Sequence, residues 1–253
     1  MEKITSVNNN RIIMYSKLLD KKYRDEYNLF LLENYKLIVE ALNRNNEIEC
    51  IIINEQTQDK FSKLIEKYND KIIIATNAVF AKLSDTTTSQ GIIAVCKTKP
   101  QSNINSFDGK TLVLDKIQDA GNMGTILRSA LGFGFNNIVL IDCVDIYNPK
   151  VIRSSGGSIF LLNFANISEN ELLFCIKRGN FAVFAADMDG ENLYDIKTIP
   201  NNLMLIIGNE GQGIRDTIIE QSSSVSIPMA KSLESLNAAV SASIIMSYFS
   251  SLK

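Results

Sequence analysis

The sequence predicts an α/β fold whose C-terminal part is built on a mainly parallel sheet. Short apolar runs rich in branched residues, at 111–115, 137–142, 181–186 and 203–207, alternate with segments of helical length. Such runs are what strands buried on both faces look like, with helices covering the sheet on either side. Glycine, proline and helix-capping residues separate the runs, marking where each element stops. The chain has 253 residues, 45% of them apolar, which is ample for one large or two modest domains.

Residues 4–19 read as a helix and 30–32 as a short strand. Asn34 can cap an amphipathic helix with Leu37, Ile38, Ala41 and Leu42 on one face. Residues 49–53 read as a strand, 60–68 as a helix, 71–75 as a strand and 79–83 as a short helix. The Ser, Thr and Asp of 84–89 form a polar loop before a strand at 91–96. This alternation defines a small α/β domain over 1–97. Residues 98–110 are polar, contain Pro100 and lack periodicity, so they form a linker, and a second domain occupies 111–253.

In the second domain Asn122 can cap a helix ending at Gly132 or Gly134. Pro149 opens a short helix at its favoured first position, and 153–157 lies in or after it. Residues 160–164 read as a strand. Ser168 and Glu171 form a capping box for a helix stopped by Gly179. Gly208 bounds the strand at 203–207, and Pro228 must stop another because it cannot donate to a ladder. Asn237 can cap a helix over 238–249, whose Ala238, Ala239 and Ala242 allow close packing.

The glycines Gly208, Gly211 and Gly213 follow the pattern G-x-x-G-x-G. That is neither the dinucleotide fingerprint nor a P-loop. Glu210 sits inside the turn, where its carboxylate repels phosphate. A ligand without phosphate, carrying positive charge, fits better.

Composition narrows the chemistry. There is no histidine, which removes Ser-His-Asp and Cys-His catalysis and argues against zinc. The four cysteines are scattered, mostly in apolar runs, with no C-x-x-C pair, as in reduced core residues of a cytoplasmic protein. No apolar stretch approaches the roughly 20 residues of a membrane span, and the N-terminus has no signal-like run. Net charge is -2, yet Lys3, Arg11, Lys17, Lys21, Lys22 and Arg24 face one acid, Asp20, within 3–24. This cluster is either a solvated helix face or a set of phosphate contacts.

Three stretches then combine. LVLDKIQDAGNMGTILRSALGFG carries Asn122, Gly124 and Arg128; IIGNEGQGI and IPMAKSLESLN follow in order. Together they resemble the three motifs of the SpoU (TrmH) branch of the SPOUT RNA methyltransferases. FLLENYKLIVEAL and LSDTTTSQGIIAV similarly resemble the substrate-binding domain that precedes such catalytic domains, although Asn34 stands where glycine is usual.

The resemblance implies a small α/β RNA-binding domain followed by a SPOUT catalytic domain with a deep trefoil knot, dimeric through that domain. It implies transfer of a methyl group from S-adenosylmethionine to a ribose 2′-hydroxyl of RNA, large-subunit ribosomal RNA first and tRNA as the alternative. It places the cofactor against Gly208, Asn209, Gly211, Gly213, Ile227, Met229 and Leu236, with no metal. It assigns Arg128 to the target phosphate; arginine side chains keep their proton up to about pH 12, which favours positioning over a role as base. Asn122 either holds the hydroxyl or caps its helix. Glu210 either locks Arg128 or orders the glycine turn. Ser235 and Asn237 line the acceptor side, and Arg153 meets either an RNA phosphate or a surface carboxylate. Two other classes stay open: an RNA-binding protein with an inactive catalytic domain, and a nicotinamide-linked reductase, which the missing fingerprint disfavours.

Overall fold

The structure is a computed structural model that describes every residue except Lys231, Leu233, Glu234 and Lys253. In chain order the elements begin β1 (Glu2–Ile4), α1 (Asn10–Lys17), α2 (Lys21–Tyr27), β2 (Leu29–Glu33), α3 (Tyr35–Asn43), β3 (Ile48–Asn54), α4 (Ser62–Lys67), β4 (Ile72–Ala75), α5 (Asn77–Ala81) and β5 (Ile92–Lys97). They continue β6 (Lys110–Asp115), α6 (Ala120–Gly132), β7 (Asn137–Ile141), α7 (Pro149–Ser155), β8 (Asn163–Asn166), α8 (Glu169–Lys177), β9 (Ala182–Asn192), β10 (Leu203–Ile207), α9 (Asp216–Ile219), β11 (Ser223–Ser226) and α10 (Ala238–Ser251). Two compact units result. One is Met1–Lys99 with Tyr147–Phe160; the other is Pro100–Ile146 with Leu161–Lys253.

The first unit holds a mixed sheet ordered β1-β4-β3-β5-β2. β1 and β3 pair parallel with β4, whereas β5 runs antiparallel to β3 and β2. One face packs Ile4, Ile12, Tyr15 and Leu18 over Ile52, Ile73 and Val95. β2 lies at an edge yet is buried, because α7 packs on it and Tyr147 places its ring 4.7 Å from that of Phe30. An edge covered in this way cannot recruit a foreign strand. Asn34 caps α3 through Lys36 and Leu37 with φ 156°, a value better suited to the glycine expected there.

The second unit is a six-stranded sheet ordered β11-β9-β10-β6-β7-β8, with every pair parallel. Val113, Val139, Met204 and Ile206 pack with Leu172 and Cys175 in its core. Ile126, Leu127 and Ala130 of α6 and Ala242, Ile245 and Phe249 of α10 are also buried. Chain order reverses between β6, which leads to β7, and β10, which leads to β11 beyond β9. In open parallel sheets, ligands bind outside the carboxyl ends of the strands at such a reversal.

Several sequence expectations are corrected. The helix expected over 4–19 starts only at Asn10, capped by Asn9, because Ile4 is drawn into the sheet by β4. α2 was not foreseen: its polar sequence has no apolar stripe. Residues 160–164 are not one strand; Ser158–Phe160 is a 3₁₀ turn, and the strand begins at Asn163. β9 extends to Asn192 with a register shift against β11, since Gly190 lets the Ser224 carbonyl carbon come within 2.5 Å of where a Cβ would stand. Asn122 is not the cap of α6. Asp119 takes that place, its side chain accepting the Asn122 N–H at 2.7 Å. The Ser168–Glu171 capping box and the Asn237 cap match the sequence reading.

The cysteines are free, and burial pushes the thiols of Cys50 and Cys143 up to about 11. Among the described residues no helix is long and apolar enough to cross a membrane.

Arg24 is the clearest correction. It is 4% exposed and donates to the Leu18 carbonyl at 2.7 Å, so it joins α2 to the end of α1 and presents no charge to a partner. Arg24→Met should cost about 1–3 kcal/mol, read by urea unfolding, and leave RNA affinity unchanged.

Candidate active site

The end of β10 sets the site. Gly208 lies so close to the returning chain that a Cβ would sit 2.4 Å from the carbonyl carbon of Gly213 and 2.5 Å from the Ile214 nitrogen. No side chain fits there. The turn closes by paired backbone bonds between Asn209 and Gly213, at 3.1 and 2.9 Å, with Gly213 at φ 68°. Asn209 orders the interior, its Oδ1 accepting from Gly211 and Gln212 while Nδ2 donates to the Lys116 carbonyl at 3.0 Å.

Beneath this loop is a cavity of about 440 Å³, lined by Gly208, Asn209, Gly211, Gly213, Ile227, Met229 and Leu236 among others. All seven residues expected at the cofactor therefore meet in one place. The volume falls within the roughly 300–1,000 Å³ of small-molecule sites. Asp187, Glu210 and Asp216 also line it, with no lysine or arginine among the described lining residues. Such a wall suits a neutral or cationic ligand and disfavours phosphate.

At the rim α6 and α10 run side by side in the same direction. Asn122 meets Asn237 at one end, and the Ser129 and Ser243 hydroxyls lie 2.7 Å apart further along. Asn237 spends its Oδ1 on capping α10, accepting from Ala239 and Val240. Its Nδ2 therefore faces the Asn122 Oδ1, at 3.0 Å, and the Asn122 Nδ2 in turn donates to Glu210. Two helix N-termini, each the positive end of its dipole, thus converge on one carboxylate. Glu210 orders its surroundings through Asn122 and does not lock Arg128.

Ser235 is exposed and lines the same cavity. Arg128 does not line it. It lies on the exposed stripe of α6 with Thr125 and Gly132 and makes no hydrogen bond or ion pair among the described residues.

In the first unit, Lys3 pairs with Glu55 at 3.0 Å, Arg11 with Glu2 at 2.6 Å and Lys21 with Asp25 at 2.9 Å. Lys17 and Lys22 flank the Tyr23 ring at 5.1 and 5.5 Å. Arg153 meets Asp85 at 2.9 Å. The imbalance of the 3–24 window is therefore largely neutralised by carboxylates at or beyond its borders.

Sequence reading missed Arg215. It directly follows the cavity residue Ile214 and gathers Asp115, Asp142 and Glu169. Only its place just after the glycine turn could have drawn attention to it.

A parallel sheet with its cavity at the strand reversal, closed by a glycine loop, defines an α/β protein with a small-molecule site suited to a phosphate-free ligand. The profile of the SpoU rRNA Methylase family matches residues 109–247, and that of an MRM3-like substrate binding domain matches 9–94. The chain belongs to the SpoU rRNA methylase family. It is 29% identical over 248 residues to the 23S rRNA (guanosine(2553)-2′-O)-methyltransferase RlmP of Bacillus subtilis (strain 168), covering 97% of this chain and 98% of that one. A solved RNA 2′-O ribose methyltransferase is 30% identical, with a TM-score of 0.81 over 98% of this chain and 97% of that one. An AdoMet-bound rRNA methyltransferase from Sinorhizobium meliloti, 22% identical, shares the fold with a TM-score of 0.88 over 98% and 97% of the two chains.

Gly208→Ala should cost about 1–3 kcal/mol in urea unfolding, because the atoms in its way are backbone. Gly211→Ala, whose nearest neighbour is the Asn209 Oδ1 at 3.6 Å, should stay near wild type.

Proposed function

We infer that this chain transfers the methyl group of S-adenosylmethionine to a ribose 2′-hydroxyl of large-subunit ribosomal RNA. The cavity carries the reading: its size, its acidic wall free of described basic residues and its closed glycine loop suit a phosphate-free cation. RlmP of Bacillus subtilis, alike over nearly the whole of both chains, acts on 23S rRNA, which supports the substrate class. The trefoil knot, a homodimer through the second unit and a cytoplasmic location belong to the same proposal and rest on the family likeness.

When bound, S-adenosylmethionine supplies an electrophilic methyl carbon, so the protein needs chiefly to align the reacting atoms. Gly208, Gly213 and the backbone around Ile227 and Leu236 let a flat ligand lie against main chain without side-chain obstruction. Asn122 holds Glu210 at the rim and leaves the second carboxylate oxygen to accept from a hydroxyl. Ser235 offers a hydroxyl at the same rim. Arg128, unpaired among the described residues, presents a planar fork suited to a phosphate oxygen pair. Lys17, Lys22 and the exchangeable pairs of Lys3, Arg11, Lys21 and Arg153 supply further phosphate contacts.

The test is transfer of labelled methyl to RNA from cells lacking this protein, followed by digestion and identification of the labelled nucleotide. A 2′-O-methylated nucleotide from ribosomal RNA is expected. Label in tRNA would replace the substrate, and absence of label from naked RNA and ribosomal particles would sink the enzyme reading.

Arg128→Ala should keep cofactor affinity and abolish transfer; equal loss of both would show that the arginine serves the cofactor. Asn237→Asp retains an acceptor for capping but loses the amide that orients Asn122. Its unfolding midpoint should stay near wild type while transfer falls, whereas unchanged transfer would remove the amide chain from the mechanism.

A further inference from the structure

We propose that Arg215 is a positioning residue for the cofactor, acting through the glycine loop it terminates. The proposal rests on the cavity being the S-adenosylmethionine site. Two tethers bind the loop from Gly208 to Arg215 to the carboxyl end of β6. Asn209 donates to the Lys116 carbonyl at 3.0 Å, and the Arg215 backbone N–H donates to Asp115 Oδ2 at 3.1 Å.

The second tether depends on the arginine side chain. Asp115 is fully buried, and its Oδ1 has no hydrogen-bond partner. The charge facing that oxygen is the Arg215 Nε at 3.3 Å. Burial raises the Asp115 pKa, while the Arg215 backbone bond and charge oppose that rise. A buried carboxylate is stable only when paired, so the guanidinium keeps the tether in place.

The rest of the fork reaches outward. Nη1 meets Glu169 at 3.1 Å, Nη2 meets Asp142, and Glu169 also accepts from Thr217. One side chain, only 15% exposed, therefore joins the end of β6, the turn after β7 and the first turn of α8. A planar guanidinium can bond in three directions at once, whereas an ammonium is a single point of charge.

Arg215 itself does not line the cavity, but its neighbours Ile214 and Asp216 do. The opposite end of the loop is held separately, through Glu210 and Asn122. Losing Arg215 should therefore loosen the Ile214–Asp216 side of the cofactor site and spare the rim where the hydroxyl is met.

The experiment compares wild type, Arg215→Met and Arg215→Lys as full-length chains. It uses calorimetric titration with S-adenosylmethionine, urea unfolding and steady-state methyl transfer. Arg215→Met should bind the cofactor roughly tenfold or more weakly, the scale expected within one ion-pair network. Its kcat at saturating cofactor should stay within about threefold of wild type with the KM for RNA unchanged, and Arg215→Lys should recover part of the affinity.

A folded Arg215→Met with wild-type cofactor affinity, or with reduced kcat alone, overturns the proposal. Should Arg215→Met not fold, Asp142→Asn gives the same reading, because that carboxylate is 72% exposed and its loss leaves the buried Asp115 paired with Arg215. Cofactor binding weakened about twofold or more supports the positioning role, and unchanged binding overturns it. A wild-type chain that binds no S-adenosylmethionine overturns the cofactor assignment itself, a result distinct from equal binding by wild type and variant.

Discussion

The close approach of Gly208 to the backbone of Gly213 and Ile214 is the constraint on which the rest of the site depends. It turns the chain back at the end of β10 tightly enough for Asn209 and Gly213 to exchange backbone bonds. That reversal leaves Glu210 at the tip, facing α6, and directs Ile214 under the loop. With any side chain at Gly208 the turn would have to open, and the Asn209 amide could no longer both order the turn and reach Lys116.

The rim is organised by direction as much as by distance. An amide has one accepting and one donating end, so a row of asparagines transmits orientation. Capping α10 fixes the Asn237 oxygen, which fixes Asn122, which presents a donor to Glu210. The residue that starts the last helix is therefore the residue that aims the carboxylate. The parallel pairing of α6 and α10 makes this possible, since antiparallel helices would have brought an N-terminus against a C-terminus. The negative end of a dipole would then oppose Glu210.

Local pattern made much of this legible. Branched apolar runs located most strands of both sheets, though not β1 or β8, and cap chemistry located α3, α8 and α10, because those signals act within a few residues. The glycine spacing located the cavity for the same reason. What stayed hidden depends on partners far along the chain. Asp119 and Asn122 are both good caps, and the choice between them is settled by Asn237 and Glu210, 115 and 88 residues away from Asn122. Arg215 draws its meaning from carboxylates 100, 73 and 46 residues earlier. The packing of α7 with the first sheet was equally invisible, since nothing in PKVIRSS names β2 as its neighbour.

The basic arm shows why charge counting alone misleads. Within 3–24 the sequence carries a clear excess of cations, yet folding buries Arg24 and sets acids from β1, α2 and the turn after β3 against three of the others. The free protein therefore projects little positive field from this face, in keeping with its overall charge of -2. This does not disqualify the arm as a nucleic-acid surface. Exposed ion pairs contribute only about 0–1 kcal/mol each, so a phosphate can replace a carboxylate at small cost. Recognition by such exchange acts at contact range. It contributes little long-range steering and leaves selection of the target to the shape of the RNA and the geometry of the rim.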